Sequence, residues 1–426
     1  MKMLKLSVVS LVSCLILSAC GSESSLLSNT ADRKISAFNV ERDENSIALE
    51  NMNKSIDMAT STKNTTNNVN LKFYMNGNMA FPALEKLIKE AKESIYIEIF
   101  LFHNDYTGKK MAELLSQKAK QGVQVRFLYD YAGNKNVQLM TYMAKNGVIV
   151  EAFNKDLFKK VGINITHRKL FIADGERAIT GGMNIGEHYE YVWDDTMAGF
   201  EGESVKHALK EFMADWQMAG GKTTNLMQKY LNTPFIPAPE AKTYPVRVAV
   251  TSPREKNKKN GIQKMMLSAI DSAKKNIKVA MPYFSDDDFI NHLIAAQQRG
   301  VKVTALMPFK SDQKLFDIMG TVTTNQLVKA GIDVFRTGWK DNSFSHSKIM
   351  TIDDIWSTVG SCNADARAFH DNQELNIAVS DTQYTQEVNK VFFDSQIQKS
   401  AKGEFKKVSF LKEGFYSFIE ELDYLI

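Results

Sequence analysis

Cysteine is scarce: of 426 residues only Cys14, Cys20 and Cys362 are cysteine. The first two lie in the amino-terminal stretch, so the rest of the chain holds one thiol and no intramolecular disulfide can staple it. No group of Cys and His has the spacing of a metal site, so neither a metal nor a cofactor is expected. A long apolar run is also missing, because the stretch Leu6 to Leu17 is too short for a membrane-spanning helix. Charge of one sign is missing too. The formal net charge is +4, and loss of Lys2 and Lys5 with a leader would leave +2, a balance that points to no particular partner and does not favour nucleic acid. Proline is rare, and four of the eight prolines stand between Pro234 and Pro245 (PFIPAPEAKTYP), the natural seam in the chain. What remains, 44% apolar and 24% charged residues, is the make-up of a globular protein long enough for two domains.

The amino terminus reads as an address. Lys2 and Lys5 precede the apolar run, which ends in Leu17-Ser18-Ala19-Cys20-Gly21. That ending resembles a bacterial lipobox. It implies a lipoprotein signal over 1–20, acylation of Cys20 and a lipid-anchored place in the bacterial cell envelope, on the outer-membrane or periplasmic side in a Gram-negative source. An ordinary cleaved signal with an incidental Cys is the plainer alternative. Residues 21–69 are rich in Ser, Asn, Thr, Asp and Lys, and Thr60 to Asn70 is nearly all polar. Such a segment is expected to be a disordered tether.

Beyond Leu71 helical and strand patterns alternate, the mark of an α/β sheet. Leu84, Leu87, Ile88 and Ala91 fall at helical spacing, Ser94 to Phe102 and Val123 to Tyr129 read as strands, and Gly108 to Lys120 reads as a helix. The pattern then repeats. Ala91-Lys92-Glu93-Ser94-Ile95 returns as Ala273-Lys274-Lys275-Asn276-Ile277, and Gly122-Val123-Gln124-Val125 returns as Gly300-Val301-Lys302-Val303. Gly147-Val148 is echoed by Gly331-Ile332. Four echoes in order at nearly one offset, counting the motif below, indicate an internal duplication of a whole domain, expected as 70–235 and 236–426.

The strongest echo carries chemistry. Thr166-His167-Arg168-Lys169 leads into an apolar strand, Asp174 and then Gly181-Gly182-Met183-Asn184; His346-Ser347-Lys348 leads likewise to Asp353 and Gly360-Ser361-Cys362-Asn363. In both copies Lys is two residues after His, Asp seven and Asn seventeen. Residues two apart on a strand share a face, so each imidazole has an ammonium beside it. An imidazole can attack phosphorus or donate a proton, while the ammonium neutralises a phosphate oxygen.

The paired HxKxxxxD pattern with its Gly-Gly/Ser-x-Asn turns resembles the phospholipase D superfamily, and within it the bacterial cardiolipin synthases. The likeness runs from about Leu71 to the end of the second half, and Gly182, where the second copy has Ser361, is in keeping with those synthases. It implies two α/β sandwich domains about a pseudo-two-fold axis, with one active site taking a His from each. It implies a phosphatidyltransferase or phospholipase D that works on phospholipids, phosphatidylglycerol above all, through a phosphohistidine. By resemblance His167 is the nucleophile and His346 the acid/base, although the symmetry of the sequence permits the reverse. Lys169, Lys348, Asn184 and Asn363 would hold the phosphate with Ser361 assisting. Asp195 and Glu374, which follow His167 and His346 at one and the same interval, would steady the histidines across the interface, with Asp194 a competitor of Asp195.

The remaining candidates divide between site and scaffold. Asp174 and Asp353 belong to the motif, with a role in turns or ion pairs favoured for both. Glu98, an acid in the apolar strand Tyr96-Ile97-Glu98-Ile99, suggests a pocket-facing group and resembles a Glu of the synthases. Five other histidines (103, 188, 207, 292 and 370) have no repeated partner and read as surface or structural. The run Arg254 to Lys259 reads as a solvated loop. Leu411, Phe415, Phe418, Ile419, Leu422 and Ile426 fall on one helical face, which suggests docking on the domain. The alternative function is a nuclease of the same superfamily, which would want a basic groove with aromatic platforms.

Overall fold

In the computed structural model, which describes residues 43–155, 164–253, 259–312, 314–340 and 343–407, the strand order reads nearly alike from both ends of one sheet. The first half supplies β1 (Thr65–Tyr74), β2 (Ser94–Ile99), β3 (Gln124–Asp130), β4 (Ile149–Phe153), β5 (Lys169–Ala173), β6 (Arg177–Gly181) and β7 (Met197–Gly202). They lie side by side as β1-β7-β6-β5-β2-β3-β4. The second half supplies β8 (Tyr244–Ser252), β9 (Lys259–Asn260), β10 (Asn276–Ala280), β11 (Lys302–Pro308), β12 (Asp333–Thr337), β13 (Ile349–Ile352), β14 (Trp356–Gly360), β15 (Glu374–Val379) and β16 (Ala401–Lys402). Outward from β8 these run β15-β14-β13-β10-β11-β12-β16, with β9 paired on β8 alone. β1 and β8 pair antiparallel at the middle, so the duplicated halves are related by a pseudo-two-fold there. β2, β3 and β4 run parallel in the first half and β10, β11 and β12 in the second, the short β16 adds antiparallel outside β12, and the inner strands are antiparallel.

Local sequence accounts for the elements. Asn76 caps the helix Gly77–Glu90 by accepting from Met79 N, and Asp105 caps Tyr106–Lys120 by accepting from Gly108 N at 2.9 Å. Both helices cover one face of β2 and β3 with Phe81, Leu84, Ile88, Met111 and Leu115. The other face packs on the helix Glu203–Met218, where Phe212 and Trp216 stack at 5.7 Å within a core that also contains Phe392 and Phe393 of the second half. Residues from Leu49 onward form one compact unit, consistent with this shared core.

The tether expectation is corrected for part of its length. Glu44–Thr60 is a helix with Met52 and Ile56 buried, and the polar run after it is the start of β1, between β7 and β8. Polarity misled because it serves the backbone here. Buried Asn68 donates to the carbonyls of Thr65 (2.7 Å) and Tyr244 (3.1 Å) and accepts from Ser204 N at 2.8 Å. Arg247 pairs with Asp57 and so fastens the helix to β8. The leader with Cys20, the rest of the tether, residues 254–258 and the carboxyl-terminal apolar stretch lie outside the described residues. Among the described residues no helix is long and apolar enough to cross a membrane.

Candidate active site

Each His-x-Lys pair enters the strand that borders its half's parallel block, β5 or β13, and each is pinned there by backbone of the other half. His167 N donates to Gln373 O at 2.9 Å and Gln373 N to Ile165 O at 2.8 Å. The mirror contacts are His346 N to Asp194 O at 2.7 Å and Asp194 N to Phe344 O at 3.0 Å. Gln373 and Asp194 each precede an acid, so the same bridge that fixes a histidine delivers a carboxylate to it. His167 Nδ1 lies 2.9 Å from Glu374 Oε1, and His346 Nδ1 lies 2.7 Å from Asp195 Oδ2. Asp194 faces elsewhere, accepting from Ser343 Oγ at 3.1 Å. With Nδ1 engaged, Nε2 is the nitrogen of each ring that its carboxylate leaves open.

The lysines close the cluster. Lys169 Nζ donates to His167 O at 2.6 Å and lies 5.3 Å from the Phe100 ring centre, which also meets the His167 ring. Lys348 Nζ donates to His346 O at 2.6 Å and lies 2.9 Å from His346 Nε2. All four side chains are buried. Burial, with the two ammonium charges, pushes both imidazoles well below the usual range and so favours the neutral ring in each. Burial also lowers Lys348, against its carboxylate neighbours, to about 8, and it raises Asp195 to about 7 and Glu374 to about 8.

The Gly182/Ser361 difference follows from the acids. A Cβ on Gly182 would stand 2.1 Å from Asp195 Oδ1, so the short acid leaves no space for a side chain. Glu374 reaches further, and Ser361 Oγ donates to its Oε2 while accepting from Leu375 N at 3.1 Å. Gly182→Ser is therefore expected to dislodge Asp195 and lower turnover about 10- to 100-fold with a small change in melting temperature, whereas Ser361→Gly costs about tenfold or less. Steady-state kinetics beside thermal unfolding of both variants checks this.

Other predicted residues distribute unevenly. Asn184 accepts from Leu101 N at 3.0 Å and donates to Tyr189 Oη at 2.7 Å, so its amide first ties the end of β2 to the site wall. Asn363 is buried with Oδ1 lacking a protein partner. Asp174 and Asp353 are not at the histidines. They follow the far ends of β5 and β13, roughly 20 Å along the chain from them at strand rise. Asp174 takes backbone N–H bonds from Lys92, Glu93 and Ser94 (2.8–3.1 Å), and Asp353 takes them from Lys274, Lys275 and Asn276 (2.7–2.9 Å). Burial opposes the charge on Asp174, but these donors and Arg177 outweigh it and hold its carboxyl below the usual range. Both are loop clamps at φ of +54°. A cavity of about 1050 Å³ lies at that end, around Asp174 and Arg177 and away from the histidines.

Glu98 is a second correction. It pairs with Leu170 across β2 and β5 while Ile99 pairs with Lys169, so it sits on the sheet face opposite the His-Lys pair. Fully buried, it accepts from Thr166 Oγ1 and lies 4.0 Å from Arg168 Nη1. Burial and nearby Asp215 raise its carboxyl well above the usual range, against the pull of Arg168, and so favour the protonated form. Glu98→Gln is accordingly expected to change unfolding free energy by less than about 1 kcal/mol, measurable by urea titration.

Sequence reasoning missed the aromatic wall around His346. Tyr189, Trp193 and Phe344 lie 5.5–5.7 Å from its ring centre, and Tyr283 lies at 6.3 Å. Position alone offered a signal, since Trp193 stands two residues before Asp195 and Phe344 two before His346. A cavity of about 180 Å³ between Trp193, Phe344, Lys310 and Gly338 opens beside this wall. Arg168 was also missed. It donates Nε to Glu374 O at 3.2 Å and Nη1 to Asp215 at 2.5 Å, behind the acid that holds His167.

The geometry matches what comparison with known proteins finds. The family model described as cardiolipin synthase, PLD-like domain matches residues 84–216 and again 266–396, one match per half. The chain is 32% identical over 362 residues to the Bacillus subtilis protein named "Probable cardiolipin synthase YwiE", covering 81% of this chain and 69% of that one. It is 30% identical over 335 residues to cardiolipin synthase 1 of Bacillus cereus, covering 75% and 65%. The chain thus spans about two thirds of the length of these relatives. The crystal structure of phosphatidylserine synthase from Haemophilus influenzae shares the fold, with a TM-score of 0.61 at 14% identity, over 89% of this chain and 96% of that one. With both halves matched and a paired His-Lys site between them, the chain belongs to the cardiolipin synthase family of phospholipase D-like proteins.

Proposed function

We propose that the chain is a phosphatidyltransferase that takes the phosphatidyl group of a phospholipid, phosphatidylglycerol above all, and passes it to an alcohol through a phosphohistidine. One observation carries the reading: each imidazole is held at Nδ1 by a carboxylate of the other half, which leaves two Nε2 atoms for one phosphodiester. His167 is the nucleophile, because Nε2 of His346 is the one met by the Lys348 ammonium. In the first step His167 Nε2 bonds to phosphorus, the P–O bond to the headgroup glycerol breaks, and His346 gives that oxygen its proton. In the second step His346 takes a proton from the incoming alcohol, whose oxygen bonds to phosphorus as the P–N bond breaks. Lys169, Lys348, Asn184 and Asn363 bind the non-bridging oxygens as their charge grows, and Glu374 and Asp195 stabilise the imidazolium that forms. The entering phosphodiester offsets the two lysine charges, which lets His346 hold the proton that it must give.

The pH dependence follows. Lys348 is charged below its lowered value and neutral above it, so kcat/KM is expected to fall as pH rises through about 8. In Lys348→Arg the guanidinium stays charged, and the alkaline limb should move beyond about pH 9 at reduced rate. A profile flat to pH 9.5 in the parent enzyme contradicts this role.

A lipid anchor on Cys20 would keep the site at high effective concentration of its substrate. Product analysis on phosphatidylglycerol vesicles tests the function. Cardiolipin plus glycerol supports transfer, phosphatidic acid alone makes the enzyme a hydrolase, and cleavage of an oligonucleotide with no lipid product makes it a nuclease.

A further inference from the structure

We propose that Tyr131, Tyr191, Val192, Phe309 and Trp339 form an apolar rim that seats the enzyme on a lipid bilayer with its catalytic cleft facing the headgroups. The inference rests on the lipid reading above and adds the surface through which the lipid is reached. All five side chains are 40–59% exposed, although four are aromatic. Each is one or two residues from the site. Tyr131 follows Asp130, whose carboxylate accepts from Thr166 N at 2.8 Å beside His167. Tyr191 and Val192 precede Trp193, which lies against His346. Phe309 precedes Lys310 and Trp339 follows Gly338, and these neighbours line the small cavity beside His346. The rings of Phe309 and Trp339 meet edge to face at 4.4 Å, a wedge formed before anything binds.

The rim spans both halves. Tyr131 and Phe309 are equivalent positions of the duplication, separated by the same offset as Gly122 and Gly300. Each donates its backbone N–H to the neighbouring strand, Tyr131 to Phe153 O at 3.0 Å and Phe309 to Thr337 O at 2.7 Å. Tyr and Trp partition to the headgroup level of a bilayer, and exposed Lys135 and Lys310 beside them suit anionic phosphates. The carboxylate in the small cavity, Asp312, is engaged by Tyr283 Oη at 2.7 Å. A bilayer fits better than a protein because of where the rim stands. A protein seated on it would cap the small cavity beside the aromatic wall of His346, whereas a bilayer supplies the substrate at that place.

The test uses the full chain with phosphatidylglycerol/phosphatidylcholine vesicles carrying brominated acyl chains, which quench tryptophans at membrane depth. Of the four tryptophans Trp216 and Trp356 are buried and Trp193 is half-buried against Phe344 and His346, so the exposed Trp339 should dominate the quenched signal, and Trp339→Phe should remove most of it. The pair Phe309→Ala and Trp339→Ala should lower turnover of vesicle lipid about tenfold. Turnover of monomeric dihexanoyl-phosphatidylglycerol should stay within about twofold. Quenching at Trp339 without any lipid turnover keeps the docking surface and removes the transferase reading. Turnover by vesicle-bound enzyme with Trp339 unquenched overturns the docking surface and leaves the transferase reading intact.

Discussion

Replacing His167 or His346 by alanine is expected to lower phosphatidyl transfer by at least about 10⁴-fold, roughly 5.5 kcal/mol of transition-state stabilisation. Replacing both should cost little more than replacing one, because the two rings act in successive halves of one reaction and neither half completes without its partner. The expectation follows from the crossed pairing of His167 with Glu374 and His346 with Asp195. Two independent sites, one per half, would instead leave about half the activity in each single variant. Folding should suffer far less than activity, since the backbone bridges that position each ring, His167 N to Gln373 O and His346 N to Asp194 O, do not need the imidazole. Single-turnover kinetics on the two single variants and the double variant, beside their thermal unfolding, measures both parts.

The largest effect on stability is expected at Arg168. Its guanidinium is buried with Asp215 at 2.5 Å and Glu211 at 3.5 Å, and it donates to Glu374 O. Burial opposes its charge, but the surrounding acids, Asp215 first among them, outweigh burial and keep it protonated. Methionine at 168 would fill much of the space yet leave the Asp215 carboxylate buried without its countercharge, a change that costs about 3–5 kcal/mol in such settings. Adding Asp215→Asn should recover part of that loss, because the amide no longer carries an uncompensated charge. Urea unfolding of the single and double variants gives the numbers. A loss below about 1 kcal/mol in Arg168→Met would mean that the cluster is not held by its ion pairs. The second half has Ser347 at the equivalent place, so the symmetry of the site does not extend to the layer behind it.

The fold was legible in the sequence wherever the duplication made it so. Echoes such as Gly122-Val123 with Gly300-Val301, all at nearly one offset, foretold two like halves, and they are the two arms of the strand order about β1 and β8. The shared interval from His167 to Asp195 and from His346 to Glu374 singled out the two acids, and both carboxylates lie on histidines. β1 was illegible for a physical reason. Its polar residues satisfy the backbone in the middle of a sheet, and polarity in a sequence does not tell that use from solvation. Glu98 misled because an acid in an apolar strand has two faces to choose from, and only the register of β2 on β5 decides which one. The motif aspartates follow the same logic. The extended strand after each histidine carries Asp174 and Asp353 away, to loops whose backbone N–H groups they clamp. The aromatic wall needs tertiary proximity between Tyr189, Trp193, Tyr283 and Phe344, which no single stretch contains.

The central claim is that one composite site carries the phosphatidyl group on a histidine. Intact-protein and peptide mass spectrometry tests it most directly. The enzyme would be mixed with phosphatidylglycerol and quenched within a turnover in neutral denaturant, because acid cleaves the P–N bond. The account predicts a phosphatidyl adduct on the peptide containing His167, absent in His167→Ala and formed far more slowly in His346→Ala. Full turnover in His167→Ala, or an adduct on any other residue while that variant still makes product, would contradict it.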